Sequence, residues 1–182
     1  MRRLLKIHSR SQCPAVAQIE VEITRPRAYG LILNYIITGK ICELFISPVG
    51  GSERHDDLWR HTCFEAFIRD SGTAYCEFNF APTTEWAAYR FSDYRSGRRA
   101  PDIAAPVIEV RVTADRYALQ AALQLESLSD LLSQAAWHLG LSALVEDKSG
   151  SISYWALTHP FGKPDFHNSV SFACELPPMV QA

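Results

Sequence analysis

Long apolar segments are absent from this chain of 182 residues. No window approaches the roughly 20 apolar residues that a membrane-spanning helix needs. The N-terminal MRRLLKIHSR begins with two arginines, but Leu4 and Leu5 are followed at once by Lys6, so the apolar region of a secretory signal is missing. The sequence therefore predicts a cytoplasmic protein without a membrane partner.

An excess of positive charge is also lacking. Lys and Arg number 18 against 20 Asp and Glu, with a formal net charge of -2 and a pI near 6.3. Nucleic acid is not an expected partner, because a basic field is what draws proteins to phosphate backbones. One basic cluster, Arg95, Arg98 and Arg99, lies among Gly, Ser and Pro. We expect a solvated loop there, with an anion contact as the alternative.

Motifs for metals, redox chemistry and common enzyme classes are missing as well. The five cysteines are widely spaced without a CxxC pair, which is typical of reduced thiols. His61, Cys63 and Glu65 follow one strand face, yet structural zinc normally takes four ligands at characteristic spacing. GxSxG, GxGxxG, Walker A and HExxH do not occur. We therefore predict no metal or cofactor, and leave open whether calcium supports a loop.

Alternation of apolar and polar residues is what the sequence has in abundance. Ile19, Val21 and Ile23 alternate with polar residues, which is typical of a half-buried strand. Similar patterns bounded by turn residues cover 29–38, 41–46, 106–115, 117–125, 141–146 and 152–158. With about ten short strands, the sequence predicts an all-β antiparallel β-sandwich, jelly-roll or immunoglobulin-like, with one short helix. The length suits a single domain over residues 1–182.

The predicted helix covers one segment with a different period. Between Ser127 and Leu139 the apolar residues fall at helical spacing, and Gly140 is a suitable stop. A parallel α/β fold is not expected, because its crossovers need repeated helices. From His159 onward, the two prolines of HPFGKPDFH argue against regular structure.

The stretch from Trp59 to Tyr94 carries most of the functional signal. Three strands can be read from it, each with one apolar and one mixed face, since successive side chains point to opposite sides. Short connections favour neighbouring strands. The mixed faces would then form one surface that holds Trp59, His61, Glu65, Glu77, Asn79, Trp86 and Arg90. The expected core positions are Phe64, Phe78, Phe80 and Tyr89.

Such a surface has the chemistry of a sugar-binding face. Aromatic rings stack on pyranose rings, and carboxylate, amide and guanidinium groups supply oriented hydrogen bonds. In the alternative interpretation Glu65, Glu77 and Arg90 form a structural ion-pair cluster and the tryptophans merely cover a sheet.

Three runs carry a family resemblance: LWRHTCFEAFI, AYCEFNFAPTTEWAAYRFSDYR and LVEDKSGSISYWALTHPFGKPDFH. They resemble the DOMON-like domains, which are close to the family 9 carbohydrate-binding modules. The resemblance covers residues 59–94 and 139–172, somewhat under half of the chain. It implies an antiparallel β-sandwich that binds sugars or haem and usually does no chemistry.

The resemblance also implies site residues in the later segment. Trp155 would form a second aromatic wall, with His159, Asp165 and His167 near the rim, and a sugar would lie between Trp155 and either Trp59 or Trp86. The alternatives are core packing for Trp155 and turn hydrogen bonds for the two histidines.

We therefore predict a non-catalytic domain that binds a carbohydrate or a similar polar small molecule. Haem or another cofactor is the main alternative. With methionines only at positions 1 and 179, haem would need two of His61, His138, His159 and His167 as axial ligands. A glycosidase would use Glu65 and Glu77 as its carboxyl pair. An interaction module without a small ligand is a further possibility, and the oligomeric state stays open.

Overall fold

Strands dominate the computed structural model, as the alternation of apolar and polar residues predicts. The structure describes residues 1–132 and 136–178. The strands are β1 Arg2–Ile7, β2 Val16–Arg27, β3 Gly30–Gly39, β4 Cys63–Arg69, β5 Tyr75–Phe80, β6 Trp86–Phe91, β7 Val107–Val112, β8 Arg116–Gln124, β9 Trp137–Glu146, β10 Ile152–Ala156 and β11 Cys174–Leu176. Short 3-10 helices cover Ile41–Glu43, Leu58–Arg60, Glu126–Leu128 and Ser169–Ser171.

The strands form one curled antiparallel sheet in the order β6-β5-β4-β9-β10-β1-β2-β3-β8-β7, and β11 pairs with β9. Strand β1 joins the two halves, because Arg2 to Leu5 pair with β2 while Lys6 and Ile7 pair with β10. The two halves pack face to face, which gives the β-sandwich and confirms the predicted all-β antiparallel class. The hairpins β7–β8 and β9–β10 are also as predicted.

The core lies between the two halves of the sheet. The alternate residues Ile19, Val21 and Ile23 of β2 are almost completely buried. From the opposite half, Phe64 of β4 packs its ring 5.2 Å from that of Tyr35 and stacks 5.9 Å from that of Tyr117. Burial of each such ring contributes about 1.5–3 kcal/mol, so these contacts hold the halves together.

The segment predicted as a helix takes a different form. Glu126–Leu128 forms a single 3-10 turn, residues 133–135 lie outside the described residues, and strand β9 begins at Trp137. Pairing of β9 with both β4 and β11 overrides the local helical spacing. Gly140 lies inside β9 and ends no helix. A Cβ there would come within 3.2 Å of the Ser171 carbonyl oxygen, so glycine permits close approach of the C-terminal segment.

Three other segments also differ from the sequence prediction. Residues 41–46 form a 3-10 turn and an isolated bridge from Leu44 to Asp147 instead of a strand. Strands β1 and β11 were not predicted: each is short, and its partner lies far away in the sequence. Local alternation is too brief in both to reveal a strand.

All five cysteines are free thiols, as expected for a chain without paired cysteine motifs. None of the helices within residues 1–132 and 136–178 has the length and apolar character required to cross a bilayer. The cytoplasmic location stays a prediction.

Candidate functional site

Strands β4, β5 and β6 lie side by side, which confirms that the three strands read from the central stretch are neighbours. Residues paired across an antiparallel ladder share a face. Glu65 lies opposite Asn79 on one side and Ser142 on the other. Glu77 lies between Phe67 and Tyr89. These side chains form a face that points away from the sandwich core.

Three connecting segments rise around this face and enclose a cavity of about 510 Å³. They are the 3-10 turn with Trp59, the loop after β6 and the segment before β11. We call this space the central cavity; it is lined by Trp59, Glu65, Phe67, Glu77, Tyr89, Phe91, Arg95, Arg98, Leu144, Tyr154, Pro164, Phe166 and His167.

Trp86 and Arg90 do not lie on this face, so the predicted surface is wrong for strand β6. Trp86 pairs with Phe80 and Arg90 with Cys76, on the opposite side of the sheet. Trp86 packs into the core, and Arg90 forms a 2.7 Å ion pair with Asp130. A one-residue difference in register moves every side chain of a strand to the other face. Tyr89 and Phe91, of which Tyr89 was expected in the core, therefore line the cavity instead.

The same inversion applies to Trp155 in β10. It lies opposite Ala143, is 6% exposed and packs in the core, where its Nε1 donates a 2.9 Å hydrogen bond to Ser153 Oγ. Its neighbour Tyr154 points the other way and lines the central cavity. Core packing, the alternative interpretation for Trp155, is what the structure shows.

His61 and His159 also lie outside the central cavity. His61 Nδ1 is 2.7 Å from Glu146 Oε2, beside a separate depression. His159 Nε2 is 2.8 Å from the Lys6 carbonyl oxygen, and its ring contacts His8 edge-on with centroids 4.9 Å apart. Neither imidazole can touch a ligand in the central cavity without rearrangement.

Glu65 and Glu77 form the floor of the cavity, and the completely buried Asn79 lies beside them on the same sheet face. Both carboxyls are buried, at 4% and 7% exposure. Glu65 Oε2 accepts a 3.1 Å hydrogen bond from Ser142 Oγ, and Glu77 Oε1 accepts a 2.9 Å bond from Asn79 Nδ2. Asn79 Oδ1 is a buried acceptor that has no hydrogen-bond partner within the described parts of the chain.

Burial dominates the electrostatics of this floor. Loss of hydration, together with the nearby Glu77 carboxylate, raises the pKa of Glu65 to about 8. Burial also raises the pKa of Glu77, although Asn79, Arg98 and Arg95 oppose that rise. Two carboxyls that share a dry site cannot both ionise at little cost, so the pair retains about one proton at neutral pH.

His167 closes one side of the floor in its neutral form. Burial, followed by the positive charge of Arg95, lowers the pKa of His167 to about 4. Tyr75 Oη lies 2.7 Å from His167 Nδ1 and accepts a hydrogen bond from the Arg95 backbone N–H. The other ring nitrogen of His167, Nε2, lies 3.7 Å from Glu77 Oε2.

Arg95 and Arg98 form a basic rim above the acidic floor. The guanidinium of Arg95 is held by Asp165 at 2.9 Å, and that of Arg98 lies 4.1 Å from the centroid of the Tyr89 ring. The sequence marks both arginines only as a loop cluster. His167 and Asp165 were placed near the rim by the family resemblance alone. Tyr154, Phe91 and Phe166 carry no local signal beyond strand alternation or aromatic character.

Metal and haem ligation depend on how the His, Cys, Asp and Glu side chains are grouped. Among residues 1–132 and 136–178, no group of three or more His, Cys, Asp or Glu side chains is arranged to hold a metal ion. Of the four histidines considered for haem, only His167 lines the central cavity. Its Nδ1 is engaged by Tyr75, so these residues do not fit a haem with two axial histidines in this cavity.

Comparison with known proteins gives a result at the level of structure only. No family model and no curated protein matches the sequence. A candidate carbohydrate-binding protein from Bacteroides uniformis superposes with a TM-score of 0.65 at 10% identity, covering 93% of this chain and 83% of that one.

Two structures of a family 9 carbohydrate-binding module from Caldicellulosiruptor kristjanssonii also match. The complex with cellotriose gives a TM-score of 0.52 at 13% identity, covering 89% of this chain and 74% of the module. The complex with glucose gives 0.54 at 13% identity, covering 100% and 85%. The chain shares the fold of the family 9 modules. At these identities, the likeness to family 9 modules shows the fold alone.

Proposed function

We propose that residues 1–182 act as one non-catalytic domain that binds a carbohydrate or a similar polar small molecule in the central cavity. The observation that carries this proposal is the arrangement of aromatic rings around a floor of buried, incompletely hydrogen-bonded polar groups. The volume of the central cavity, about 510 Å³, lies within the range of small-molecule sites.

The ring positions suit a sugar. Trp59 is 48% exposed at the rim, whereas Trp86, Trp137 and Trp155 are buried. A clamp made of two tryptophans is therefore not what we propose. Trp59 would stack on one face of a pyranose, and Tyr154 or Phe166 would supply the opposing ring, because apolar sugar faces pack on aromatic rings while hydroxyls seek polar partners.

The floor suits the hydroxyl groups of such a ligand. Glu65 and Glu77 both line the cavity, and each carboxyl accepts one modest hydrogen bond from the protein. Sugar hydroxyls can both donate and accept, so they can complete these bonds in place of water. The shared fold with modules bound to glucose and cellotriose supports this proposal, and the finer DOMON-like resemblance stays a prediction.

Tryptophan fluorescence offers a direct test. Titration with glucose and cellotriose should change the emission of Trp59, the tryptophan that faces the cavity. Trp59→Ala lacks this reporter, so its affinity is measured by isothermal titration calorimetry, and it should bind at least tenfold more weakly, as expected for loss of a stacking ring. Phe45→Ala is the matched control, since Phe45 is 46% exposed and lies outside the cavity lining. No binding of these or other sugars by wild type would refute the proposal.

Catalysis by the Glu65 and Glu77 pair is the competing activity. The two carboxyls line one cavity and differ in their hydrogen bonds, which is a starting point for acid and base roles. We favour binding alone because the structural relatives include binding modules. Release of nitrophenol from aryl glycosides, lost on Glu65→Gln substitution, would overturn the non-catalytic proposal.

A further inference from the structure

The floor of the central cavity has two carboxyl groups, those of Glu65 and Glu77, and no lysine or arginine among the described residues is ion-paired with them. The nearest ionisable base is the imidazole of His167, whose Nε2 lies 3.7 Å from Glu77 Oε2, and this imidazole is neutral at neutral pH because burial lowers its pKa to about 4. Buried carboxylates are normally paired with a cation, because removal of an unpaired charge from water is costly.

The arginines of the rim do not fill this role. Arg95 is held at 2.9 Å by Asp165, and its side chain is 51% exposed. Arg98 lies over the Tyr89 ring, so its charge acts on Glu77 from a distance, and within the described residues it forms no ion pair with a carboxyl of the floor. The cavity is thus polarised, with negative groups at its base and positive groups at its mouth.

We infer that the central cavity selects a sugar that carries a protonated amine, a hexosamine, with its ammonium group against Glu65 and Glu77. This inference rests on the proposed function. An ammonium offers three donors and one positive charge, so it satisfies the carboxyl oxygens and their charge together. A hydroxyl at the same position supplies one donor and no charge.

The walls favour the same ligand. Aromatic rings attract a cation over their faces, and the cavity has Trp59 and Tyr154 along its sides. The basic rim repels an ammonium at the mouth, which orients the amine towards the floor and leaves the neutral hydroxyls near Arg95 and Arg98. A hexosamine bound the other way round would place its ammonium beside the two arginines and leave the carboxyls of the floor without a cation.

Ammonium binding should be coupled to proton release. The titratable and charged groups around the carboxyl pair are Tyr35, Cys63, Tyr75, Tyr89, Arg95, Arg98, Asp165 and His167. The thiol and the phenols remain protonated at neutral pH because burial raises the pKa of each. The proton held by Glu65 and Glu77 is therefore the one that an arriving cation displaces.

Isothermal titration calorimetry at pH 6.5 tests the inference with glucosamine, glucose and N-acetylglucosamine as probes. Glucosamine should bind roughly tenfold more tightly than glucose, because a hydrogen bond to a charged group gains about that factor over a neutral one. N-acetylglucosamine, whose nitrogen is uncharged, should lose this advantage. Repeating the glucosamine titration in two buffers of different ionisation enthalpy should show release of up to one proton, and glucose should show none.

Variants locate the effect. Glu77→Gln and Glu65→Gln should each reduce the preference for glucosamine over glucose to about threefold or less, since one charge of the pair is removed. Glu146→Gln is the matched control: this carboxylate is partly buried on the same sheet but bonds His61 outside the cavity. If a variant fails to fold, the probe comparison and proton count on wild type decide the question.

The outcomes separate the two proposals. Glucose binding as tight as glucosamine binding, or no proton release with glucosamine, overturns the inference and leaves sugar binding intact. Absence of binding by all three probes, together with cellotriose, overturns both. A preference for glucosamine that survives Glu65→Gln and Glu77→Gln shows that the amine binds elsewhere, which also overturns the inference.

Discussion

Replacing Glu65 with glutamine should make the folded protein more stable at pH 8 and change its stability little at pH 5. In the folded state burial raises the pKa of Glu65 to about 8, against 4.5 in an unfolded chain. The folded state therefore holds the proton more tightly. The stability contributed by this carboxyl is complete below pH 4.5 and is lost as the pH rises towards 8.

The size of the effect follows from the same values. Each pKa unit corresponds to about 1.4 kcal/mol, so the wild type should lose about 4 kcal/mol from this group between pH 5 and pH 8. Glu77 shares the proton with Glu65, which reduces the gain in the variant, and we expect Glu65→Gln to stabilise by about 2–4 kcal/mol at pH 8. The glutamine amide also offers a donor to Asn79 Oδ1 across the ladder, an acceptor that has no hydrogen-bond partner among residues 1–132 and 136–178.

Urea unfolding followed by circular dichroism at pH 5, 6, 7 and 8 measures this prediction. The difference in unfolding free energy between variant and wild type should grow steadily with pH, since other titrating groups are common to both proteins. If the Glu65→Gln and wild-type profiles run parallel within 1 kcal/mol, the carboxyl does not hold a proton in the folded state and the reasoning fails.

Three further predictions follow from other contacts. Burial lowers the pKa of His167 to about 4 in the folded protein, against 6.5 in an unfolded chain, so the neutral imidazole contributes stability above pH 6.5 that is lost as the pH falls. In urea unfolding, the difference in unfolding free energy between wild type and His167→Asn should therefore decrease by about 2 kcal/mol from pH 7 to pH 4.5. Trp155→Ala should cost about 3–5 kcal/mol in thermal unfolding because the ring is core; a loss below 1 kcal/mol would contradict this placement. Tyr35→Phe removes a buried 2.7 Å hydrogen bond to the Glu65 carbonyl oxygen and should cost about 1–2 kcal/mol, whereas the exposed Tyr94→Phe should cost less.

Much of the fold was predictable from local pattern. Alternation such as that of Ile19, Val21 and Ile23 identifies strands because burial on one face needs apolar residues at every second position. Within the site, Glu65, Glu77 and Asn79 were correctly placed together on one face, since β4 and β5 keep their period without interruption. Trp59 was predicted on that strand face; it lies in the preceding 3-10 turn and lines the cavity from there.

Errors arose where a turn set the register. The turn before β6 sends Trp86 and Arg90 to the core side, and the one before β10 does the same with Trp155. In both strands aromatic residues occur on each face, so composition does not distinguish them. A one-residue change in where the turn ends alters the register of the following strand, and this moves every side chain of that strand to the other face of the sheet.

The sequence by itself determined the class of the fold and the acidic centre of the site, because strand period and residue chemistry are local properties. The tertiary structure decided which aromatic rings surround that centre: Tyr89, Phe91 and Tyr154 in place of the predicted Trp86 and Trp155. It also brought Arg95, Arg98 and His167 over the carboxyl pair. These groups come from distant segments, and their proximity depends on strand register and chain crossing, which no local pattern encodes.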